Sequence, residues 1–324
     1  MRNKLSTLAF ATMVFTLSAP AFGVPAASLT LAPTALNFGN VTVGAGSSRS
    51  QQLVITNVSS VSVTIAALPI SGGGAGSFAV GGARFPMQLA PKASVNIMIA
   101  FTPASAGAER AAVGIASVGH AITVSPSSVP LSGTGVTLTL GRETSSLAYG
   151  SVLVDPSTPP TQTATVTNTG TGNVTVSGIA INGGSGAYSA TSNPAAPFTL
   201  APNQTAAVAV TFNPLVGGPA TGQVSIVSNA TNSPSVISLT GMGLPWVSLN
   251  WTPSVSPGII GYNIYEGTVS GGPYVRLWSL AATPAYEDTE SGLAPGSTHY
   301  YVVTAVDDTG LESSYSNEAS VLIS

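Results

Sequence analysis

Leu36-Asn37-Phe38-Gly39-Asn40-Val41 returns 111 residues later as Leu147-Ala148-Tyr149-Gly150-Ser151-Val152. Three further stretches return at the same offset. Val54-Ile55-Thr56-Asn57 becomes Thr165-Val166-Thr167-Asn168, Leu89-Ala90-Pro91 becomes Leu200-Ala201-Pro202, and Phe101-Thr102-Pro103 becomes Phe212-Asn213-Pro214. Leu131-Ser132-Gly133-Thr134-Gly135 closes the first copy. Leu239-Thr240-Gly241-Met242-Gly243 closes the second at an offset of 108, so short loop deletions separate the copies. Four matches at one spacing define a tandem duplication, and the repeat length sets the module length.

Within each copy the apolar residues have a period of two. Val61, Val63 and Ile65 alternate with Ser62 and Thr64, and Val95, Ile97 and Ile99 alternate with Asn96 and Met98. Val174, Val176 and Ile179 match the first set, and Val208, Val210 and Phe212 the second. Such alternation buries one face of a strand and wets the other. Gly, Pro and Asn break the runs at short intervals, and the mature chain shows no helical period. Many short strands per repeat predict an antiparallel β-sandwich. The fold class expected is all-β: three tandem immunoglobulin-like antiparallel sandwiches after a signal peptide.

The order Leu-x-Phe-Gly-x-Val, Val-x-Thr-Asn, Leu-x-Pro, Phe-x-Pro, Leu-x-Gly-x-Gly resembles the Hydin/abnormal-spindle (ASH) type of immunoglobulin-like domain. In bacterial secreted proteins such modules are often labelled choice-of-anchor D. The resemblance covers roughly 28–245, as copies 28–137 and 138–245. It implies sandwiches related to the major sperm protein and pilus-chaperone families, with no catalytic residues to carry over.

Composition changes after Gly243. All three Trp, seven of the nine Tyr and eight of the eleven acidic residues lie beyond it, against Arg276 as the one basic residue there. Net charge runs from +3 in 28–137 through −1 in 138–245 to −7 in 246–324. Val247, Leu249 and Trp251 alternate as a strand. Gly261-Tyr262-Asn263-Ile264-Tyr265, Leu293-Ala294-Pro295-Gly296 and Val303-Thr304-Ala305-Val306 follow. Segment 246–324 thus resembles a fibronectin type III domain. The corner tyrosine that this resemblance implies is replaced by His299, which either makes the corner hydrogen bond or loses it. Trp278 stands where related modules usually carry a polar residue, so its ring is either exposed for contact or laid flat on the sandwich edge or in the inter-domain seam.

The N-terminus reads as an export signal over 1–21. Arg2 and Lys4 precede an apolar stretch, and Ala19-Pro20-Ala21 supplies small residues, with cleavage expected within 21–27. No other segment is long and apolar enough to span a bilayer, so no transmembrane segment is expected in the mature chain. Absence of Cys excludes disulfides, thiolate metal sites and a Cys nucleophile. Charged residues are 6% of the chain, with no basic patch, which argues against nucleic acid.

Candidate chemical sites are few. A Ser-His-Asp arrangement needs a carboxylate-oriented imidazole, and His120 and His299 are the two histidines. Glu287, Asp288 and Glu290 form an acidic group that reads as a solvated face, and Asp307-Asp308-Thr309-Gly310 reads as a turn. Gly72-Gly73-Gly74-Ala75-Gly76 lacks the Lys and the helix of a phosphate loop. No catalytic residue, cofactor or metal site is expected. The contact candidates are Trp278, Trp246, Tyr265 and Tyr300. Trp251 and Tyr262 read as core, and Trp246 sits at a junction.

The linkers Thr134-Gly135-Val136 and Gly243-Leu244-Pro245 are too short for flexible tethers, which implies a semi-rigid rod. The expected role is an exported structural or adhesive protein outside the cytoplasm, at the cell surface or in the periplasm. Two modules act as spacers, and the third touches a protein or polysaccharide surface. The alternatives are a carbohydrate-binding accessory protein and a pilus-chaperone-like assembly factor.

Overall fold

The structure, a computed structural model, describes residues 27–44, 46–119, 122–289 and 293–324. The expected signal segment and His120 lie outside the described residues. The described chain is all-β, with helix confined to single 3-10 turns at Ala75–Ser77 and Gly184–Gly186. Both turns fall in the glycine-rich stretches, at matching places in the two copies. The chain divides into two compact units, Met1–Gly135 and Val136–Ser324. The second unit holds two separate apolar interiors, one built from Leu140 to Leu239 and the other from Val247 onward.

In the first unit a five-stranded sheet runs Ile122–Ser125, Ala27–Ala32, Arg49–Asn57, Ser94–Phe101, Phe78–Gly81. A four-stranded sheet centres on Ser128–Val136 and Gly107–Gly114, and a three-stranded one on Val63–Ala67. The second copy repeats the scheme. One sheet runs Leu140–Arg142, Thr161–Asn168, Thr205–Phe212, Tyr188–Asn193. Its companion runs Ser146–Leu153, Ser235–Leu244, Gly218–Ser228, Val174–Gly183, Phe198–Leu200.

Two features depart from the sequence reading. The sandwiches are not wholly antiparallel: Ala27–Ala32 pairs in parallel with Ile122–Ser125, and Ser146–Leu153 with Ser235–Leu244. Each pair joins an early strand of a copy to a late one. The long stretch of chain between them removes the need for a hairpin, which would force antiparallel pairing. The supposed linkers are also largely strand. Thr134-Gly135-Val136 ends the strand Ser128–Val136, and Gly243-Leu244 ends Ser235–Leu244.

Every repeated motif has a mechanical reason. Phe38, Phe78 and Phe101 form an aromatic cluster with centroids 4.9–5.8 Å apart, and Tyr149, Tyr188 and Phe212 form its counterpart at 4.8–5.8 Å. Gly133 and Gly241 lie flat on those clusters: a Cβ would come within 2.4 Å of the Phe101 ring and 2.6 Å of the Phe212 ring. No larger residue fits the first Gly of Leu-x-Gly-x-Gly. Gly39 and Gly150 take φ of +65° and +66°, which L side chains rarely adopt.

Asn57 and Asn168 are fully buried polar residues. The Asn57 amide donates to the carbonyls of Val61 (2.8 Å), Leu89 (3.0 Å) and Ala90 (3.0 Å), and its Oδ1 accepts from Ser59 N–H (3.0 Å). Asn168 donates to Gly172 O and Leu200 O, both at 2.8 Å, and accepts from Gly170 N–H at 2.9 Å. The asparagine therefore satisfies backbone groups of the turn after its own strand and of the Leu-x-Pro turn opposite.

Asn168→Ala strands those buried backbone groups. It should cost about 3 kcal/mol in a urea unfolding titration, since each orphaned group costs roughly 1–3 kcal/mol. Asn168→Asp should cost a similar amount, because a carboxylate can accept from Gly170 but cannot donate to Gly172 or Leu200.

Candidate functional site

The first two sandwiches bury their aromatic clusters, whereas the third displays aromatic side chains. Its framework is a two-stranded sheet, Val247–Asn250 with Ala285–Asp288, and a four-stranded sheet, Val275–Ala281, Ile259–Gly267, Thr298–Asp307, Ala319–Leu322. Val275–Ala281 is an edge strand, and it carries Val275, Trp278 and Leu280 largely exposed. Trp278 is 53% exposed. Its ring centroid lies 5.9 Å from that of Tyr286 at an interplanar angle of 36°. Tyr286 is half-buried against the Tyr262–Ile264 cluster, so the pair forms an aromatic shelf whose open face is Trp278.

The other contact candidates lie away from this pair. The Trp246 indole N–H donates to Val154 O at 2.9 Å, so it ties the start of the third sandwich to the second, as its junction position predicts. Gly217 closes on the same seam: a Cβ there would meet Pro245 Cγ at 2.4 Å and Pro295 Cγ at 2.9 Å. Tyr300 is half-buried on Thr298–Asp307. Tyr262 is core, but Trp251 is half-buried, its ring 5.4 Å from Tyr262 in an edge-on contact.

Tyr265 belongs to a polar network that the sequence reading missed. Its hydroxyl donates to Glu312 Oε2 at 2.7 Å, and Thr304 Oγ1 donates to the same oxygen at 2.9 Å. The Asn263 amide donates to Glu312 Oε1 at 2.7 Å, and Arg276 stands 3.8 Å from it. Glu318 similarly accepts from Gly271 N–H and Ser270 Oγ, each at 2.8 Å, and from the Tyr274 hydroxyl. Tyr315 stacks edge-on against Tyr265 (5.3 Å) and Tyr274 (5.4 Å). The hydroxyl of Tyr265 holds the Glu312 carboxyl below its ordinary range, and that of Tyr274 does the same for Glu318. Both tyrosines are raised in return, chiefly by those hydrogen bonds. Glu312 and Glu318 follow the Asp-Thr-Gly turn with no strand alternation to mark their partners.

The acidic group divides. Asp288 is not part of a solvated face: it is fully buried and accepts from the Tyr301 hydroxyl at 2.8 Å. The inward parity of its strand, opposite Val247, places it there. Burial raises the Tyr301 hydroxyl far above its ordinary range, and the bond to Asp288 adds to this. Glu287 is exposed, and Glu290 lies outside the described residues. Asp307 makes the expected turn. Its Oδ1 accepts from Thr309 Oγ1 (2.7 Å), Thr309 N–H (2.9 Å) and Leu311 N–H (2.9 Å), which lowers its carboxyl.

His299 is buried between two partners. Nδ1 bonds Glu266 Oε1, and Nε2 lies 2.6 Å from Ser297 Oγ. The order serine, imidazole, carboxylate matches a nucleophile relay. However, Ser297 Oγ also donates to Ala294 O at 2.6 Å, so the hydroxyl is tied to the backbone of its own turn. The corner bond is thus made indirectly, from His299 through Ser297 to the Ala294 backbone. Among the described residues no group of three or more His, Cys, Asp or Glu is placed to hold a metal ion.

Residues 27–120 match the family described as ASH, abnormal spindle-like microcephaly-associated, ASPM-SPD-2-Hydin. An amylopullulanase of Thermoanaerobacter thermohydrosulfuricus is 44% identical over 72 residues, which is 22% of this chain and 5% of the enzyme. The chain spans only 5–6% of the length of the curated relatives it matches. Among solved structures, a Fn3-like protein from Clostridium thermocellum is 28% identical over 31% of this chain and 73% of its own, with a TM-score of 0.19. The human CEP192 ASH/PapD-like domain is 12% identical over 33% of this chain and 85% of its own, with a TM-score of 0.27.

The Glu312 network should show in the pH dependence of stability. Its folded carboxyl is depressed, so its contribution is whole above the ordinary value of 4.5 and is lost as pH falls through the folded value. Below pH 4.5 the thermal midpoint of the native chain should therefore fall more steeply than that of Glu312→Gln, followed by near-UV circular dichroism.

Proposed function

We propose that this chain is an exported, non-catalytic, multi-domain protein in which the two repeated sandwiches act as spacers and the third makes contact with a surface. The Trp278–Tyr286 shelf carries this reading. Trp278 lies open on an edge strand beside a half-buried Tyr286, while Phe38, Phe78, Phe101, Tyr188 and Phe212 of the first two sandwiches are buried. Exposed aromatic faces favour stacking on sugars or docking on protein. The repeat supports the spacer role, and the connections are short: three residues separate the last strand of the first copy from the first strand of the second, and two separate the second copy from the third sandwich. The sequence of the first 21 residues supports export. No helix among the described residues is long and apolar enough to cross a membrane.

Polysaccharide is the favoured surface. The similarity to short stretches of amylopullulanases supports it, because their name denotes enzymes acting on starch-type glucan and pullulan. The matched stretches are a small part of those enzymes, which fits an appended module better than a catalytic one.

Affinity electrophoresis through soluble starch tests the reading. Native protein should be retarded. Trp278→Ala should weaken binding about tenfold, or about 1.4 kcal/mol, while Tyr300→Ala leaves it unchanged. Equal retardation of native protein and Trp278→Ala would remove the shelf from the account.

A further inference from the structure

In the first sandwich the strand Arg49–Asn57 is flanked on both sides, by Ala27–Ala32 and by Ser94–Phe101. In the second, Thr161–Asn168 is likewise held between Leu140–Arg142 and Thr205–Phe212. The corresponding strand of the third sandwich, Val247–Asn250, pairs among the described residues with Ala285–Asp288 alone. Pro245 and Trp246 are all that separate it from the preceding strand, which ends at Leu244. Among the described residues the third sandwich therefore has no chain of its own at the place where each earlier copy lays its first strand.

The open edge has a defined parity. Trp251 N–H donates to Pro284 O at 3.2 Å. Alternation along an antiparallel pair then turns the backbone of Val247, Leu249 and Trp251 towards the partner strand. Ser248 and Asn250 turn their N–H and C=O outward. Behind this edge is an opening of about 450 Å³, walled by Leu249, Trp251, Tyr262, Tyr301, Val303 and Ala305 among others. Its far wall is the segment 313–319, held to the sheet by Ser313 N–H to Ala305 O (2.9 Å) and Ser316 N–H to Val303 O (2.8 Å).

Packing behind the edge is unfinished. Leu53, Ile55, Ala164 and Val166, on the flanked strands of the earlier copies, are at most 1% exposed. Leu249, Trp251, Val303 and Ala305 stay half-buried. The Trp251 indole N–H is buried without a hydrogen-bond partner. No charged side chain lines the opening, although the module carries a net charge of −7.

We propose that the third sandwich accepts an extended, uncharged strand of a partner polypeptide beside Val247–Asn250. The incoming backbone pairs with Ser248 and Asn250, and alternate apolar side chains enter the opening and complete the core. The neutral lining excludes a charged segment, for which desolvation would be unrewarded. A sugar chain would leave the edge ladder unmade. This site is separate from the Trp278 shelf, so either can fail alone.

The test uses the full chain and a peptide of residues 26–33, Ala-Ala-Ser-Leu-Thr-Leu-Ala-Pro, the strand that fills this place in the first sandwich. Binding is read by fluorescence anisotropy and by amide hydrogen exchange. The peptide should slow exchange at Ser248 and Asn250 at least tenfold. Ser248→Pro removes an outward donor without touching the ladder to Ala285–Asp288 and should weaken binding tenfold or more, with the circular-dichroism spectrum unchanged. Should that variant misfold, Ala305→Phe, which fills the opening from its floor, must abolish binding instead. The proposal is overturned if the two amides are unprotected or if both variants bind like the native chain. It is equally overturned if maltohexaose, or self-association at high protein concentration, gives the protection while the peptide does not.

Discussion

A buried asparagine side chain, repeated at Asn57 and Asn168, holds each of the first two sandwiches in register. Burying an amide is costly unless its donors and acceptor are used. Here each amide spans from the end of one strand to the Leu-x-Pro turn of another. The turns follow from this. Lys92 and Asn203, just beyond the Leu-x-Pro motifs, take φ of +64° and +65° so that the chain doubles back beneath the amide. The apolar strands then have one pairing in which these groups are all satisfied, because a slip of a single residue would turn the asparagine to solvent and the leucines with it.

The alternation made the strands legible, and the common offset made the duplication legible. Motif residues with steric duties were legible too: a glycine recurring at the same distance from a recurring Phe-x-Pro marks a close approach, here of Gly133 to Phe101 and Gly241 to Phe212. Parallel pairing was not readable, because period two is the same whichever way a neighbour runs. The burial of Asp288 was also hidden: Glu287 and Asp288 look alike in a polar run, and strand parity alone sends one outward and the other onto Tyr301. At the candidate site, Trp278 was readable as an unexpected aromatic. Tyr286, its neighbour on the shelf, was not, since their meeting is set by how the two sheets close. Glu312, which gathers Tyr265, Thr304 and Asn263, lies 49 residues from Asn263, and no local pattern joins them.

The third sandwich is built on a different balance. The earlier copies seal large apolar residues around three rings. The third has smaller apolar clusters centred on Val247, Tyr301 and Ile323, and on Tyr262 and Ile264. Part of its order comes from carboxylates that collect donors: Glu312 and Glu318 pin tyrosines, and Glu266 orients His299. Hydrogen bonds to charged groups are worth more than neutral ones, so this arrangement compensates for a thinner interior while leaving aromatic surface exposed.

The parallel pairing of Ser146–Leu153 with Ser235–Leu244 has a mechanical consequence. A pull along the polypeptide draws the earlier strand towards its N-terminal end and the later one towards its C-terminal end. Once the three-residue strand Leu140–Arg142 has yielded, the load falls along the ladder between these two neighbours and strains its hydrogen bonds together rather than one after another. Resistance to stretching is a matter of unfolding rate rather than of equilibrium. The second sandwich is thus wired to bear tension, whatever its resting stability.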